Sequence, residues 1–65
     1  MQLKINGKPE SIEGKTILDI IKNKQLNAEH IVIEHNKQVI PQEKWDNTSL
    51  NENDNLEIVS FVGGG

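Results

Sequence analysis

The 65-residue chain contains no cysteine and no tyrosine, one tryptophan, one phenylalanine and two prolines. Without cysteine there is no disulfide framework, no thiolate zinc site, no iron–sulfur cluster and no thiol nucleophile. A single Trp45 and a single Phe61 make no platform on which nucleic-acid bases could stack. Basic residues are not in excess either. Seven lysines against ten acids leave a net charge of −3 and a pI near 5.2, with the two signs interspersed, which argues against a general nucleic-acid binder. No apolar run approaches the length of a membrane span, and Met1–Asn6 lacks the basic and apolar regions of a signal peptide. A soluble cytoplasmic protein, a monomer when free, with neither nucleic acid nor membrane as partner, is the simplest expectation. At this length the chain is one domain near the lower limit for independent folding, with no room for a catalytic cleft between subdomains.

The apolar residues that are present are patterned. Met1, Leu3 and Ile5 alternate with polar residues, the period of a half-buried strand, and Asn6-Gly7 is a type I′ hairpin signal. The return strand is expected from about Lys8 to Glu13 with Ile12 inward, and Pro9 places it at a sheet edge. Thr16 followed by Asp19 reads as an acidic capping box. It opens a helix that ends near residues 23–25 and buries Ile17, Ile20 and Ile21, with Leu18 at the flank and the Lys24 stem alongside. Leu26 closes the core beneath it. Ile31-Val32-Ile33 is a strand whose inward face stays open, because it is apolar on both parities. Asn36-Lys37 is a turn, Pro41 ends the segment Val39-Ile40, and 42–45 can form one helical turn. Residues 46–50 make a polar strand or connector, and 51–54 a second turn.

The closing strand, 55–62, sorts by parity. Leu56, Ile58, Ser60 and Val62 form the better candidate for the core face, which leaves Val59 and Phe61 on the open face as a contact surface for a partner. Phe61 could alternatively fold over the sheet edge or pack on Trp45. The order predicts an α+β fold: a mixed sheet of about five strands with one main helix on one face, spanning residues 1–62. Residues 63–65 are then a flexible C-terminal glycine tail. Having no Cβ, Gly63, Gly64 and Gly65 could thread a narrow channel, with a free carboxylate expected at Gly65.

Other chemistry is sparse. His30 and His35 flank a strand and should project to opposite faces, so they make no metal pair. The carboxylates are scattered, and Ser11, Ser49 and Ser60 lack a base in pattern. No metal site and no catalytic residue of the chain's own is expected.

Several segments together carry a resemblance. They are Asn6-Gly7, Thr16-Ile17-Leu18-Asp19-Ile20-Ile21, the run Val32 to Pro41 with Trp45 after it, Asp54, and the ending Phe61-Val62-Gly63-Gly64-Gly65. This pattern resembles the ThiS family, sulfur carriers of thiamin thiazole biosynthesis within the ubiquitin-like β-grasp superfamily. It covers essentially the whole chain and departs in one respect, a third glycine where a minimal tail has two. The resemblance implies that a ThiF-type adenylating enzyme uses ATP to convert the Gly65 carboxylate to an acyl-adenylate. Cysteine-derived sulfur, delivered by a desulfurase, then displaces AMP to leave a thiocarboxylate, and a ThiG-type thiazole synthase receives it. On this reading the chain is a co-substrate rather than an enzyme and has no cofactor. Three alternatives remain open: a carrier like the small subunit of molybdopterin synthase, a protein modifier, and a β-grasp interaction module with an inert tail.

Overall fold

Two residues with positive φ, Asn6 at 52° and Gly7 at 81°, reverse the chain and set its first register. Strand β1 (Gln2–Ile5) pairs antiparallel with β2 (Lys8–Ser11), and Ile5 faces Lys8 across the two-residue turn. This computed structural model describes residues 1–61; Val62 and the expected tail, Gly63 to Gly65, lie outside the described residues. Strand β2 stops at Ser11 instead of continuing to Glu13, although Met1 N still donates to the Ile12 carbonyl at 3.0 Å. Ile12 still packs on the core, its N–H bonded to the Met1 carbonyl at 2.8 Å.

The capping box forms as the sequence predicts. Thr16 caps helix α1 (Ile17–Asn23): its Oγ1 accepts the Asp19 N–H, while Asp19 Oδ2 accepts the Lys15 and Thr16 N–H groups at 2.7 and 3.0 Å. Those two backbone donors, Lys15 first, hold the Asp19 carboxyl below its ordinary value. Gly14 is required here, since it has φ of 128° and a Cβ on it would stand 2.6 Å from the Asp19 Cβ. At the other end, Gln25 takes the left-handed conformation (φ 56°). The Leu26 N–H bonds to the Ile21 carbonyl and the Gln25 N–H to that of Lys22, a complete Schellman closure with glutamine at the usual glycine position. Lys24 reaches across to Glu10 of β2, Nζ to Oε1 at 2.8 Å.

A 3-10 turn, Ala28–His30, leads into β3 (Ile31–His35); a second hairpin through Asn36 and Lys37 gives β4 (Gln38–Val39). A 3-10 turn at Gln42–Lys44 follows, and β5 (Asn55–Ser60) completes the sheet. The order is β2-β1-β5-β3-β4, with β1 and β5 parallel and the other pairings antiparallel. Pro9 therefore sits on an edge strand, as expected. Residues 46–50 form no strand beyond a single bridge, Thr16 to Ser49.

The core lies between the sheet and α1. Leu3 and Ile5, Ile31 and Ile33, and Leu56 meet Ile17, Ile20 and Ile21, and Trp45 and Leu50 close the ends. The inward face of β3, open in the sequence, is that of Ile31 and Ile33. Leu56 and Ile58 turn inward on β5 as expected, whereas Ser60 at its end is exposed. Strand β5 ends at Ser60, and Val62, expected to continue it, lies outside the described residues.

Candidate functional site

The register between β3 and β5 determines what the uncovered face of the sheet presents. Val32 stands directly opposite Val59, and both side chains are exposed. Phe61, just past β5, is 47% exposed, and Val39 on β4 extends the apolar surface. Monomeric domains seldom group their exposed large apolar residues in this way. Glu34 and Glu57 lie directly opposite each other beside it, a like-charge pair at the border.

Phe61 does not pack on Trp45. Trp45 is buried on the helix side, its Nε1–H bonded to the Ile40 carbonyl at 2.9 Å. The Phe61 ring instead lies tilted by 57° against His30, centroids 6.5 Å apart, and the Phe61 N–H bonds to the His30 carbonyl. Val32, Val59, Phe61 and His30 are thus gathered at the end of β5. Sequence reasoning put Val59 and Phe61 on the open face, where both are exposed, and did not name Val32, Val39 or His30 beside them. Parity could have found Val32 once the inward face of β3 was known, but nothing local signals Val39 or His30.

The rest of the molecule offers less. His35 joins the parity of Ile31 and Ile33 and contacts Asp54, Nε2 to Oδ2 at 2.7 Å. Among the described residues no group of three or more His, Asp or Glu side chains could hold a metal ion, and no helix is long and apolar enough to cross a membrane. A shallow groove of about 520 Å³ on the helix side is lined by Leu18, Ala28, Gln42, Glu43, Trp45 and Asp46. It contains two carboxylates but no nucleophile and base in partnership.

Residues 3–65 match the model of the ThiS family. The chain belongs to that family. It is 37% identical to the sulfur carrier protein ThiS of Bacillus subtilis, over 97% of this chain and 98% of that protein. The crystal structure of the thiamine biosynthesis protein ThiS from Geobacter metallireducens superimposes with a TM-score of 0.84 at 30% identity, each chain covered in full. The β-grasp architecture expected from the sequence is therefore the observed one: a mixed five-strand sheet with one helix. A third relative is of another kind. A protein named thiazole synthase from Magnetococcus marinus is 32% identical over the whole of this chain, which spans only 20% of that protein.

Proposed function

We propose that this chain is a sulfur carrier protein of thiamin biosynthesis whose working group is the Gly65 carboxylate. The similarity to the Bacillus carrier supports this reading best, since it runs over nearly the whole of both sequences. A carboxylate is a poor electrophile. Attack of a Gly65 oxygen on the α-phosphorus of ATP expels pyrophosphate and gives an acyl-adenylate. A cysteine-derived persulfide then displaces AMP to give an acyl disulfide, and a thiol such as excess cysteine reduces its S–S bond, is itself oxidised to a disulfide, and leaves the thiocarboxylate. A glycine carbonyl is the least hindered one available to that nucleophile.

The chain itself docks and presents. Val59 and Phe61, with Val32 beside them, form the face a ThiF-type adenylating enzyme grips. Gly65 follows Phe61 by four residues, a reach of about 13 Å at roughly 3.3 Å per extended residue. Beyond Val62, Gly63 and Gly64 carry no side chain to hinder entry. The carrier is a co-substrate of its partners, not a catalyst. A thiazole synthase is the sulfur acceptor on this reading. Support comes from the two thiazole synthases, of Paramagnetospirillum magneticum and Magnetococcus marinus, that each contain a stretch similar to this entire chain. Joining a donor to its acceptor raises the effective concentration of one at the other.

The test is the intact mass of the chain after incubation with ATP, a ThiF-type enzyme, a desulfurase and cysteine, with and without an alkylating agent. Oxidation of Met1 adds nearly the same mass as exchanging oxygen for sulfur, so alkylation is the deciding readout. With no cysteine in the chain, rapid ATP-dependent alkylation at the C terminus identifies the thiocarboxylate. An unalkylated chain, beside enzymes that modify another carrier, would overturn the proposal.

A further inference from the structure

Strand β5 outruns its parallel neighbour. Along β5 the even-numbered residues turn their main chain toward β1 and the odd-numbered ones toward β3. Thus the Asn6 N–H bonds to the Leu56 carbonyl, and the Phe61 N–H to that of His30. The ladder on the β1 side should stop at Leu56, because the chain turns away through Asn6 and Gly7. Ile58 would then lack main-chain partners on that side, close to the root of the tail.

The Asn6 side chain supplies them. Its Oδ1 accepts the Ile58 N–H at 2.7 Å, and its Nδ2 donates to the Ile58 carbonyl at 3.2 Å. A carboxamide carries the donor and acceptor of a peptide group, so the side chain extends β1 by one pairing after the backbone has left. The same residue holds the positive φ that the turn needs. Glycine could satisfy the turn without the clasp, and aspartate could offer the acceptor without the donor.

We propose that Asn6 is a positioning residue for the tail. Acting through Ile58, it fixes the last residues of β5 from the β1 side, while Val32 and the His30 carbonyl hold them from the other. That two-sided grip sets the course of the chain as far as Phe61, the point from which the Gly65 carboxylate must reach the adenylating site. This rests on the carrier reading above. Docking through Val59 and Phe61 sets how tightly the carrier binds; alignment of the tail sets how fast the docked carrier reacts.

Asn6→Gly isolates the clasp, because Gly-Gly still makes a type I′ turn. Two readouts are combined: amide hydrogen exchange at Ile58 in the free chain, and carrier-dependent ATP–pyrophosphate exchange by a ThiF-type enzyme. Exchange at Ile58 should accelerate. The kcat should fall about tenfold with KM changed less than about twofold, since small misplacements of reacting groups cost up to about a hundredfold. If Asn6→Gly does not fold, Asn6→Asp keeps turn and acceptor but sets a charged oxygen against the Ile58 carbonyl in place of the donor, and a fall in kcat is again expected. Unchanged kcat with faster exchange at Ile58 would reduce Asn6 to a structural tie and overturn the positioning role alone. Absence of pyrophosphate exchange with the unaltered chain would overturn the carrier reading and the positioning role together.

Discussion

His35 and Asp54 join the turn between β3 and β4 to the entrance of β5 through a 2.7 Å contact between Nε2 and Oδ2. Asp54 also accepts the Asn51 N–H at 2.9 Å and the Asn36 Nδ2 at 3.3 Å, while Asn36 Oδ1 accepts the Asn55 N–H. Burial alone would raise the Asp54 carboxyl. The bonds from His35, Asn51 and Asn36, with the His35 charge, outweigh it and hold the group below its ordinary 3.8.

The sign of the resulting pH dependence follows. A carboxylate whose folded value lies below its unfolded value stabilises the fold fully above the unfolded value, and that stabilisation is lost as pH falls through the folded one. Asp54 and Asp19 both behave this way, so the urea midpoint should drop as pH falls below about 4. Asp54→Asn combined with Asp19→Asn should flatten that acid limb. At neutral pH, Asp54→Ala should cost about 1–3 kcal/mol, because it strands several donors at once. Urea titrations followed by Trp45 fluorescence give both quantities. An acid limb as steep in the double variant as in the parent would refute the assignment.

Two left-handed residues that are neither glycine nor asparagine invite stabilisation. Gln25 closes α1 at φ 56°, and Lys37 occupies the second turn position between β3 and β4 at φ 74°; both are exposed. A side chain in this region costs roughly 1–2 kcal/mol, part of which glycine returns as unfolded-state entropy. Gln25→Gly and Lys37→Gly should therefore each stabilise by about 0.5–1 kcal/mol, measured as a rise of a few degrees in Tm. They lie on separate elements, so the two gains should add.

Trp45 couples packing to a hydrogen bond. It is buried, and its indole N–H satisfies the Ile40 carbonyl just before Pro41. Trp45→Phe retains most of the apolar volume but leaves that carbonyl unpaired, at a cost of about 1–3 kcal/mol. Trp45→Ala adds a cavity and should cost about 3–5 kcal/mol, enough to unfold much of so small a domain. Far-ultraviolet circular dichroism during thermal melting separates the two, because neither variant retains tryptophan fluorescence.

How much of this was legible in the sequence depended on the range of the interaction. Asn6-Gly7 and Thr16 with Asp19 act over two or three residues, and both the hairpin and the capping box formed where those residues predicted them. The inward face of β3 could not be read from Ile31-Val32-Ile33, because all three side chains are apolar and only the register against β5 separates Val32 from the other two. The 3-10 turn at Ala28–His30 has no apolar period to reveal it, although Asn27, whose side chain accepts the Glu29 N–H, was a local signal. The partners of Phe61 and the second role of Asn6 depend on residues 31 and 52 positions away, and no local rule reaches that far.

The border of the exposed apolar face can be tested independently of any partner. Glu34 and Glu57 face each other across β3 and β5, where like charges destabilise. Glu57→Lys turns that pair into an attractive one and should stabilise the domain by about 0.5 kcal/mol, an effect that fades in high salt. Denaturant midpoints at low and high ionic strength would show it; an equal shift at both would point to a cause other than charge.

The contact face itself should separate binding from folding. Val59 and Phe61 are exposed, so removing their side chains takes little from the core, and Phe61→Ala should change stability by less than about 0.5 kcal/mol. An aromatic anchor at the centre of a protein interface is worth far more than that to binding. Phe61→Ala should therefore raise the KM of a ThiF-type enzyme for the carrier by about tenfold, equivalent to roughly 1.4 kcal/mol, and leave kcat nearly unchanged. Val59→Ser should act in the same direction with a smaller effect. This is the opposite of the split expected for Asn6, so the two sets of variants test docking and presentation separately. A Phe61→Ala carrier with an unaltered KM would remove this face from the interface, even if Gly65 still proved to carry the sulfur.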